Sequence, residues 1–479
     1  MPPLERARRP VKNAIPKWVA SAACLGVAAL ITSAPALASG FSAAEFGGEH
    51  GNVVTTNPTA LYFNPAGITQ RETTATGTET NLYLSGVLAL RRGRWTHAQA
   101  ASEVPEPAGG EGANTGEARF SNLLAAPALA ATTRIRRFAL GAAFYVPFGG
   151  NIHWDANQRF ANNQQFPLAA DGVQRWHAIE GSLRSFYFTI GAGLRVGPLS
   201  VGATGNVIRS SVYLRQARSL SAMPVDLTNE GRIALDVSGN QASFGLGALV
   251  EALPGRLWFG TSYQAQPGFG PIKLAGTLTI SDGSGNAASR PVTYTYALPD
   301  IVRVGVRVRA LDRPRALELR AYGDLTRWSR LQTQCVSLEG QPCAVFTDGS
   351  DATPNATTIV NLRRGWKDTY AVHAGASYWA SEAVEVFAGV GFATAATPDE
   401  TLDPMLPDAA SVRFALGGRF ALPSGLHLTA GLTDVQYASR DNTGRSRLPD
   451  AQLPTRRPDG GGQYGLWLGI FQVSLEKQL

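Results

Sequence analysis

Three arginines spaced for one face of a β-strand are the residues best suited to binding an acidic ligand. Arg303, Arg307 and Arg309 lie in a segment where every second residue is valine. Successive side chains of an extended strand point to opposite faces, so the arginines share one face. Guanidinium groups form charge-assisted hydrogen bonds with carboxylates, which makes this set a candidate headgroup site facing a lumen. The more ordinary alternative is a ladder of ion pairs with Glu318 and Asp324 on the next strand.

A second candidate site is a long polar segment, residues 149–180, that carries large apolar side chains. These are Trp154, Phe160, Phe166 and Trp176. Exposed apolar groups on a long loop form a plausible capture site for hydrophobic ligands. The alternative is that they only pack the loop onto the rest of the protein.

The sequence offers no arrangement typical of an enzyme, a cofactor site or a metal site. Its six histidines are scattered, without metal-ligand spacing and without a nucleophile motif around them. Cys335 and Cys343 are separated by a short polar stretch with Gly340 and Pro342. In an exported protein this spacing predicts a local disulfide, and the lack of a nearby histidine or third cysteine argues against metal.

The elements that would position these residues are β-strands. In the segment 301–310, the valines at 302, 304, 306 and 308 occupy the face opposite the arginines. Similar alternation recurs along the chain and predicts fourteen strands, near 80–92, 119–134, 136–148, 181–196, 198–215, 231–252, 255–280, 290–310, 315–331, 366–381, 382–396, 410–422, 424–440 and 462–477.

The connections between these strands alternate between short and long. The long ones, 93–118, 149–180, 332–365 and 441–461, are rich in Gly, Asn, Asp, Gln and Pro. An apolar strand face that meets lipid and a polar face that meets a wet lumen, with short turns at one end and long loops at the other, are typical of a transmembrane β-barrel. The sequence therefore predicts an all-β, 14-stranded antiparallel barrel over residues 80–479.

The N-terminus predicts export. Five basic residues, the apolar stretch 18–31 and Ala36-Leu37-Ala38 read as a secretory signal peptide over residues 1–38, with a retained membrane anchor as the alternative. Removing that segment deletes five positive charges and Glu5, so the net charge falls from +7 to +7 − 4 = +3. The high isoelectric point of the whole chain is thus no argument for a nucleic-acid partner.

Residues 39–79, between this segment and the first strand, are too poor in alternation to form a strand pair. Their centre contains two Asn-Pro steps, at 57–58 and 64–65. Proline denies a sheet one hydrogen-bond donor, and Asn-Pro favours turns. We expect a compact N-terminal plug inside the lumen, with Asn64, Pro65 and Ala66 at its centre.

With this segment and the predicted strands, the chain resembles the long-chain fatty-acid transporters of bacterial outer membranes, the FadL-like family, which includes aromatic-hydrocarbon transporters. Asn64-Pro65-Ala66 matches the plug motif of that family, and the resemblance covers essentially the whole mature chain in the expected order. Further matching stretches are Ser39-Gly40-Phe41, Pro147-Phe148-Gly149, Leu298-Pro299-Asp300, Trp328-Ser329, Trp366-Lys367-Asp368-Thr369-Tyr370 and Leu406-Pro407-Asp408.

The resemblance implies a plugged, 14-stranded outer-membrane barrel that takes up hydrophobic compounds by diffusion. Ligand would be captured by extracellular loops and would leave sideways beside a kinked third strand, here with Gly141 and Pro147 as sources of irregularity. We expect long-chain fatty acids as ligand, with aromatic hydrocarbons as the alternative, in a monomer surrounded by outer-membrane lipid. Two readings from other classes are a lipid-hydrolysing enzyme and an adhesin or receptor barrel.

Overall fold

A computed structural model describes residues 46–70, 77–221, 223, 225–311, 316–346, 349–350, 357–451 and 457–479, and the backbone of 37–38 and 42–43. Residues 1–36, and with them nearly all of the predicted signal peptide, lie outside the described residues. No helix in the described part of the chain is both long enough and apolar enough to cross a membrane.

Fourteen antiparallel strands form the wall of the molecule. Six are continuous from the first: β1 Glu79–His97, β2 Gly116–Ile135, β3 Phe138–His153, β4 Glu180–Val196, β5 Leu199–Ser219 and β6 Glu230–Leu253. Four are each interrupted once: β7 Leu257–Gln264 and Ile272–Ser281, β8 Ala287–Tyr296 and Ile301–Leu311, β9 Leu317–Thr326 and Thr333–Leu338, β10 Thr358–Arg363 and Thr369–Trp379. The last four are β11 Val384–Ala393, β12 Ser411–Leu422, β13 Leu426–Tyr437 and β14 Gln463–Gln478.

Each strand pairs with its neighbours in sequence, and the final strand closes the sheet. The ladder between β14 and β1 runs from Gln463–Thr96 to Gln478–Asn81. Closure satisfies the backbone hydrogen bonds of the edge strands, as a barrel in lipid requires. The predicted fold, a 14-stranded antiparallel barrel, is confirmed.

Strand boundaries differ most in the predicted loop 332–365. Its two ends form the outer parts of β9 and β10, which pair with each other from Thr333–Arg363 to Ser337–Thr358. β9 also pairs there with β8, from Val292–Leu338 to Thr295–Cys335. Breaks at 327–332 and 364–368 separate these outer parts from the rest of β9 and β10. The breaks interrupt the alternation, so the sequence pattern does not show that each strand continues.

Connections sort by length to the two ends of the barrel. Those at one end are the short turns 136–137, 197–198, 254–256, 380–383 and 423–425, while the other end carries 98–115, 154–179, 220–229, 339–357, 394–410 and 438–462. The exception is 282–286, a short turn at the end with the long loops. Gly197 and Gly255 adopt positive φ angles of 58° and 67° in two of the tight turns, which favours glycine there. By the usual asymmetry of outer-membrane barrels, the long loops face the cell exterior.

The two faces of the wall have the predicted chemistry. Outward side chains such as Ile190, Val304 and Leu416 are exposed, at 72%, 57% and 65%. The inward residues Arg303 and Arg307 are buried. Apolar residues therefore form the outer, lipid-facing surface, and the polar residues of the same strands face the interior.

The helices are short. They are one α-helix, Ala60–Phe63, and the 3-10 turns Gly48–His50, Pro65–Thr69, Gln158–Phe160, Pro167–Asp171, Val173–Trp176, Leu227–Asn229, Pro267–Phe269, Trp328–Arg330, Pro423–Gly425 and Leu448–Asp450. Residues 46–70 contact inward-facing wall residues, and Phe46, Leu61 and Ile68 belong to the largest buried apolar cluster.

Candidate functional site

Asn64 lies at the centre of the contact between the N-terminal segment 46–70 and the wall. It is fully buried, and its amide nitrogen donates to the carbonyl oxygens of Val53 at 2.8 Å and of Ala248 on β6 at 3.0 Å. Its side-chain oxygen accepts from the backbone N–H of Ala66 at 3.2 Å and so caps the following turn. One side chain therefore joins two parts of the segment to the barrel.

Wall glycines provide the space for this motif. A Cβ atom at Gly247 would lie 2.0 Å from Oδ1 of Asn64, and one at Gly202 would lie 2.4 Å from the carbonyl carbon of Pro65. Neither distance is sterically allowed, so the motif requires bare backbone on the wall.

Ionic contacts hold the same segment at two further places. Arg134 on β2 pairs with Glu79 at 2.6 Å and donates to the carbonyl oxygen of Thr56 at 3.0 Å. Elsewhere along the wall, Glu49 pairs with Arg413 on β12 at 3.4 Å, and His50 contacts Glu385 on β11 at 2.8 Å. The segment is thus attached to several strands around the barrel.

The arginines on β8 contact rings and carboxylates. Arg303 lies 4.6 Å from the ring centre of Tyr62 in the N-terminal segment, and Arg307 lies 4.1 Å from the ring centre of Trp258. Arg309 pairs with Glu318 at 3.5 Å, as the ladder alternative expects. Arg303 and Asp324 are opposite each other in the β8–β9 register. The headgroup role of these arginines stays a prediction.

The apolar side chains of loop 154–179 are buried. Phe160, Phe166 and Trp176 belong to one cluster, and Trp154 packs edge-to-face on Phe120 of β2 with ring centres 4.8 Å apart. This agrees with packing of the loop onto the barrel rim. The capture role of these residues stays a prediction, since none of the four is among the described residues that line the cavity below.

A cavity of about 90 Å³ lies in the lumen near the long loops. Aliphatic side chains from strands around the barrel form most of its lining, among them Ile152, Leu183, Leu235, Leu278, Val336 and Leu362. Its polar lining includes two arginines, Arg91 on β1 and Arg457 in the loop before β14. This combination of apolar walls and a few polar groups is typical of small-molecule sites.

Both arginines are almost completely buried, at 4% and 6% exposure. Arg91 donates to the carbonyl oxygen of Pro407 at 3.2 Å, and Arg457 donates to the side chain of Gln216 at 3.3 Å. Within the described part of the chain, neither forms an ion pair, and Nε of Arg457 has no hydrogen-bond partner. Burial lowers the pKa of Arg457 to about 10, so the side chain is still charged at neutral pH.

Sequence reasoning missed these two residues. Arg91 has the inward phase of β1, where Val87 and Ala89 precede it, and that phase was the available signal. Arg457 lies in a long loop without periodicity. Nothing in the sequence indicates that the two residues meet at one cavity.

Aromatic rings lie between this cavity and the N-terminal segment. Phe46 stacks on Tyr145 of β3 with ring centres 5.1 Å apart, and Tyr145 stacks on Tyr187 of β4 at 5.6 Å. Phe148, also on β3, packs edge-to-face on Trp328 with ring centres 6.2 Å apart. The series brings inward-facing rings of β3 into the apolar core.

The ladder between β2 and β3 is incomplete. It extends only from Ile135–Phe138 to Leu129–Phe144, while β3 bulges between Tyr145 and Phe148, around Pro147. Farther along, the side chain of Asn122 donates to the carbonyl oxygen of His153 at 2.9 Å and accepts from its N–H at 3.0 Å. We call the unpaired stretch between these two contacts, residues 123–128 of β2 and 145–152 of β3, the lateral window.

Two features refine the predicted irregularity of β3. Gly141 is regular, because it pairs with Thr132 and with Gly191, and its bare backbone instead admits Leu61, whose Cδ1 would lie 3.0 Å from a Cβ. The irregularity thus belongs to Pro147. The backbone of Ser42, which precedes the N-terminal segment 46–70, pairs with Phe148 and so lies at the window.

The predicted disulfide between Cys335 and Cys343 is present. Cys335 and Cys343 form a disulfide with Cα atoms 6.3 Å apart, and Cys335 is fully buried on the outer part of β9. The adjacent residues Gln334 and Val336 line the cavity, so the bond braces part of its wall. Among the residues that the structure describes, no group of three His, Cys, Asp or Glu is placed to hold a metal ion.

Comparison with known proteins identifies the family. The sequence profile described as outer membrane protein transport protein (OMPP1/FadL/TodX) matches residues 18–452. The chain belongs to this family. It is therefore an outer-membrane protein of a family that transports hydrophobic compounds across that membrane. No curated protein sequence matches it detectably.

Solved structures agree with the fold of the OMPP1/FadL/TodX family. A FadL homologue of Pseudomonas aeruginosa has a TM-score of 0.69 at 18% identity, covering 91% of this chain and 99% of that one. The toluene transporter TbuX of Ralstonia pickettii has a TM-score of 0.60 at 15% identity, covering 92% and 98%. For the toluene transporter TodX of P. putida the values are 0.59, 14%, 88% and 94%.

Proposed function

We propose that this transporter takes up long-chain fatty acids by diffusion, and that Arg91 and Arg457 bind the carboxylate. The observation that carries the proposal is a pair of buried arginines, without ion pairs to described residues, in a cavity that is lined mostly by aliphatic side chains. The cavity is small, about 90 Å³, and lies below the range of about 300–1,000 Å³ for sites that enclose a whole small molecule, so the proposal assigns it to the carboxylate end of the ligand. We further propose that the protein acts as a monomer, without a cofactor and without chemical change of the ligand.

The charge of the cavity favours an acid over a hydrocarbon. Burying a guanidinium group without a counter-ion is unfavourable, because few polar atoms replace the lost water. A ligand carboxylate would restore two or more charge-assisted hydrogen bonds. A monoaromatic hydrocarbon would gain only apolar contacts and would leave both guanidinium groups without a direct ion pair.

The route proposed for the ligand leads sideways. Residues 46–70 would act as the plug, because they contact wall strands on opposite sides of the lumen through Asn64, Arg134 and Glu49. The cavity is lined by Gly150, Asn151 and Ile152 of β3, which belong to the lateral window. A ligand that moves along β3 would reach lipid through the window without passing the plug.

Binding of purified protein to a matched ligand set tests the carboxylate site. Oleate should bind more tightly than methyl oleate, which has the same chain without the charge, and much more tightly than toluene. Since a hydrogen bond to a charged group contributes about 1.5–3 kcal/mol, Arg91→Gln and Arg457→Gln should each weaken oleate binding by about ten-fold or more. Neither substitution should change the affinity for methyl oleate as much.

The control is Arg209→Gln, on the outer face of β5 away from the cavity, which should leave oleate binding unchanged. Equal affinity for oleate and its methyl ester, or oleate binding that is insensitive to both cavity substitutions, would overturn the proposal.

Aromatic-hydrocarbon uptake is the second candidate. It is favoured by the series of rings below the cavity, in which Tyr145, Phe148 and Tyr187 are fully or almost fully buried. Offset and edge-to-face ring contacts would suit a monoaromatic ligand. Toluene binding that exceeds oleate binding in the same assay would select this candidate.

A further inference from the structure

Three arginines lie close together on the outer face of β1 and β2. Arg92 and Arg94 have the outward phase of β1, and Arg119 has the outward phase of β2. Arg94 and Arg119 are directly opposite each other in the ladder, and Arg92 is opposite Ser121, one outward position nearer the apolar belt. We call these three residues the rim arginines.

The rim arginines carry excess positive charge. Arg119 pairs with Glu117 on its own strand. Arg92 lies 5.5 Å from the ring centre of Trp467 on β14, and neither Arg92 nor Arg94 forms an ion pair with any residue in the described part of the chain. Among the described residues, only Arg119 of the three therefore has a carboxylate as a direct ion-pair partner.

The neighbouring wall is shaped to let these side chains lie along it. A Cβ at Gly465 on β14 would lie 2.9 Å from Nε of Arg94, and one at Gly469 would lie 2.7 Å from the indole of Trp467. The indole N–H donates to Asp434 on β13 at 2.7 Å, which fixes the ring across Gly469. Tryptophan in this orientation is typical of the boundary between headgroups and acyl chains.

An apolar groove of about 530 Å³ begins directly below this boundary. Its outward-facing side chains include Leu88, Leu123, Phe414, Leu416, Leu432 and Phe471. Trp467 and Asp434 lie at its upper end, next to Arg92. Cations above a groove for hydrocarbon match an anionic lipid in shape and charge.

The position of the site selects the lipid. The rim arginines are at the end of the barrel with the long loops, so they face the outer leaflet of the outer membrane. There the abundant anionic lipid is a phosphorylated glycolipid with several acyl chains. Arginine suits phosphate well, because its planar guanidinium donates two parallel hydrogen bonds.

We propose that the rim arginines bind a phosphate of this outer-leaflet glycolipid while one of its acyl chains lies in the groove. This site is separate from the lumenal cavity, since its side chains have the opposite phase on the same strands. Arg91 points inward to the cavity, and the adjacent Arg92 points outward to the lipid.

Native mass spectrometry with defined lipids tests the proposal. Detergent-purified protein should bind bis-phosphorylated lipid A at least ten-fold more tightly than the same lipid without its phosphates. The triple substitution Arg92→Gln, Arg94→Gln and Arg119→Gln should remove that preference. Arg209→Gln is the matched control, because Arg209 is also outward-facing but its guanidinium is hydrogen-bonded to Asn240 and Ser238.

Folding of each variant is checked by heat-modifiable gel mobility, and oleate affinity should be the same in wild type and triple variant. Equal binding of the two lipids by wild type, or an undiminished phosphate preference in the folded triple variant, would overturn the proposal. Loss of the preference in Arg209→Gln to the same extent would also overturn it, because the charge would then act without a site.

Discussion

At the residue scale, buried arginines with an ion-pair partner have a structural role, and those without one are candidates for ligand binding. Arg134 has Glu79 as its counter-ion and donates to the backbone of the N-terminal segment, so its charge is compensated by the fold. Arg91 and Arg457 donate hydrogen bonds only to uncharged groups in the described part of the chain, and the nearby carboxylates Asp408 and Asp403 form no ion pair with them. Buried charges without a directly paired counter-ion are unfavourable for stability, and we interpret them as half of a ligand site.

The sequence predicted the position of arginines on regular strands better than that of the cavity arginines. Arg303, Arg307 and Arg309 share one face because alternation sets their phase, and Glu318 is near Arg309 because adjacent strands pair. Arg457 is brought to the cavity by a loop whose path depends on tertiary packing. Alternation carries no information about such a path, so this part of the site could not be predicted.

A glycine substitution tests how tightly the N-terminal segment closes the lumen. Gly247→Ala would place a methyl group 2.0 Å from Oδ1 of Asn64, so the segment must move. Overpacking of this kind costs about 1–3 kcal/mol, and we expect the single-channel conductance of the barrel in planar bilayers to rise.

Gly205→Ala on β5 is the matched control, because a Cβ there meets nothing within 4 Å. This variant should keep the wild-type conductance. If Gly247→Ala and Gly205→Ala conduct equally, Asn64 does not hold a plug.

At the element scale, β3 combines one inserted residue with an incomplete ladder to β2. Tyr145 pairs with Tyr187, and the next pair is Phe148 with Ser185, so β3 has two residues where β4 has one. A bulge ends regular pairing and re-aims side chains, which here turns both Tyr145 and Phe148 inward.

Prolines lie on both edges of the lateral window. Pro127 lies on β2 and Pro147 on β3, and proline within a sheet is found on edges and at bulges because it lacks the N–H donor. The sequence marked Pro147 but could not show which neighbouring strand would lose its pairing. That depends on the closed order of the barrel.

Deleting Pro147 should close the window. The deletion removes the extra residue, so β3 regains a regular register with β4 and can pair with β2 beyond Phe144. We expect cells that carry this variant to take up labelled oleate at least ten-fold more slowly, while purified protein keeps wild-type oleate affinity. Uptake at the wild-type rate by the folded variant would show that ligand leaves by another route.

At the scale of the whole molecule, one closed wall serves three environments. Its outer face carries an apolar belt, its inner face is polar and holds residues 46–70, and its long-loop end contains the apolar cavity. Alternation along the strands predicted the first two, because a period of two assigns each residue to one face. The cavity arises from loops and interrupted strands, where that period fails.

The proposed function is transport of an acidic amphiphile by way of the cavity arginines. The most direct measurement is uptake of labelled oleate and labelled toluene by cells that lack their own transporters of this family and express either wild type or Arg91→Gln/Arg457→Gln. We predict that wild type raises oleate uptake, that the double variant loses most of that increase at subsaturating oleate, and that toluene uptake is similar in both. Increased uptake of toluene alone, or oleate uptake unaffected by the double substitution, would show that Arg91 and Arg457 do not bind a transported carboxylate.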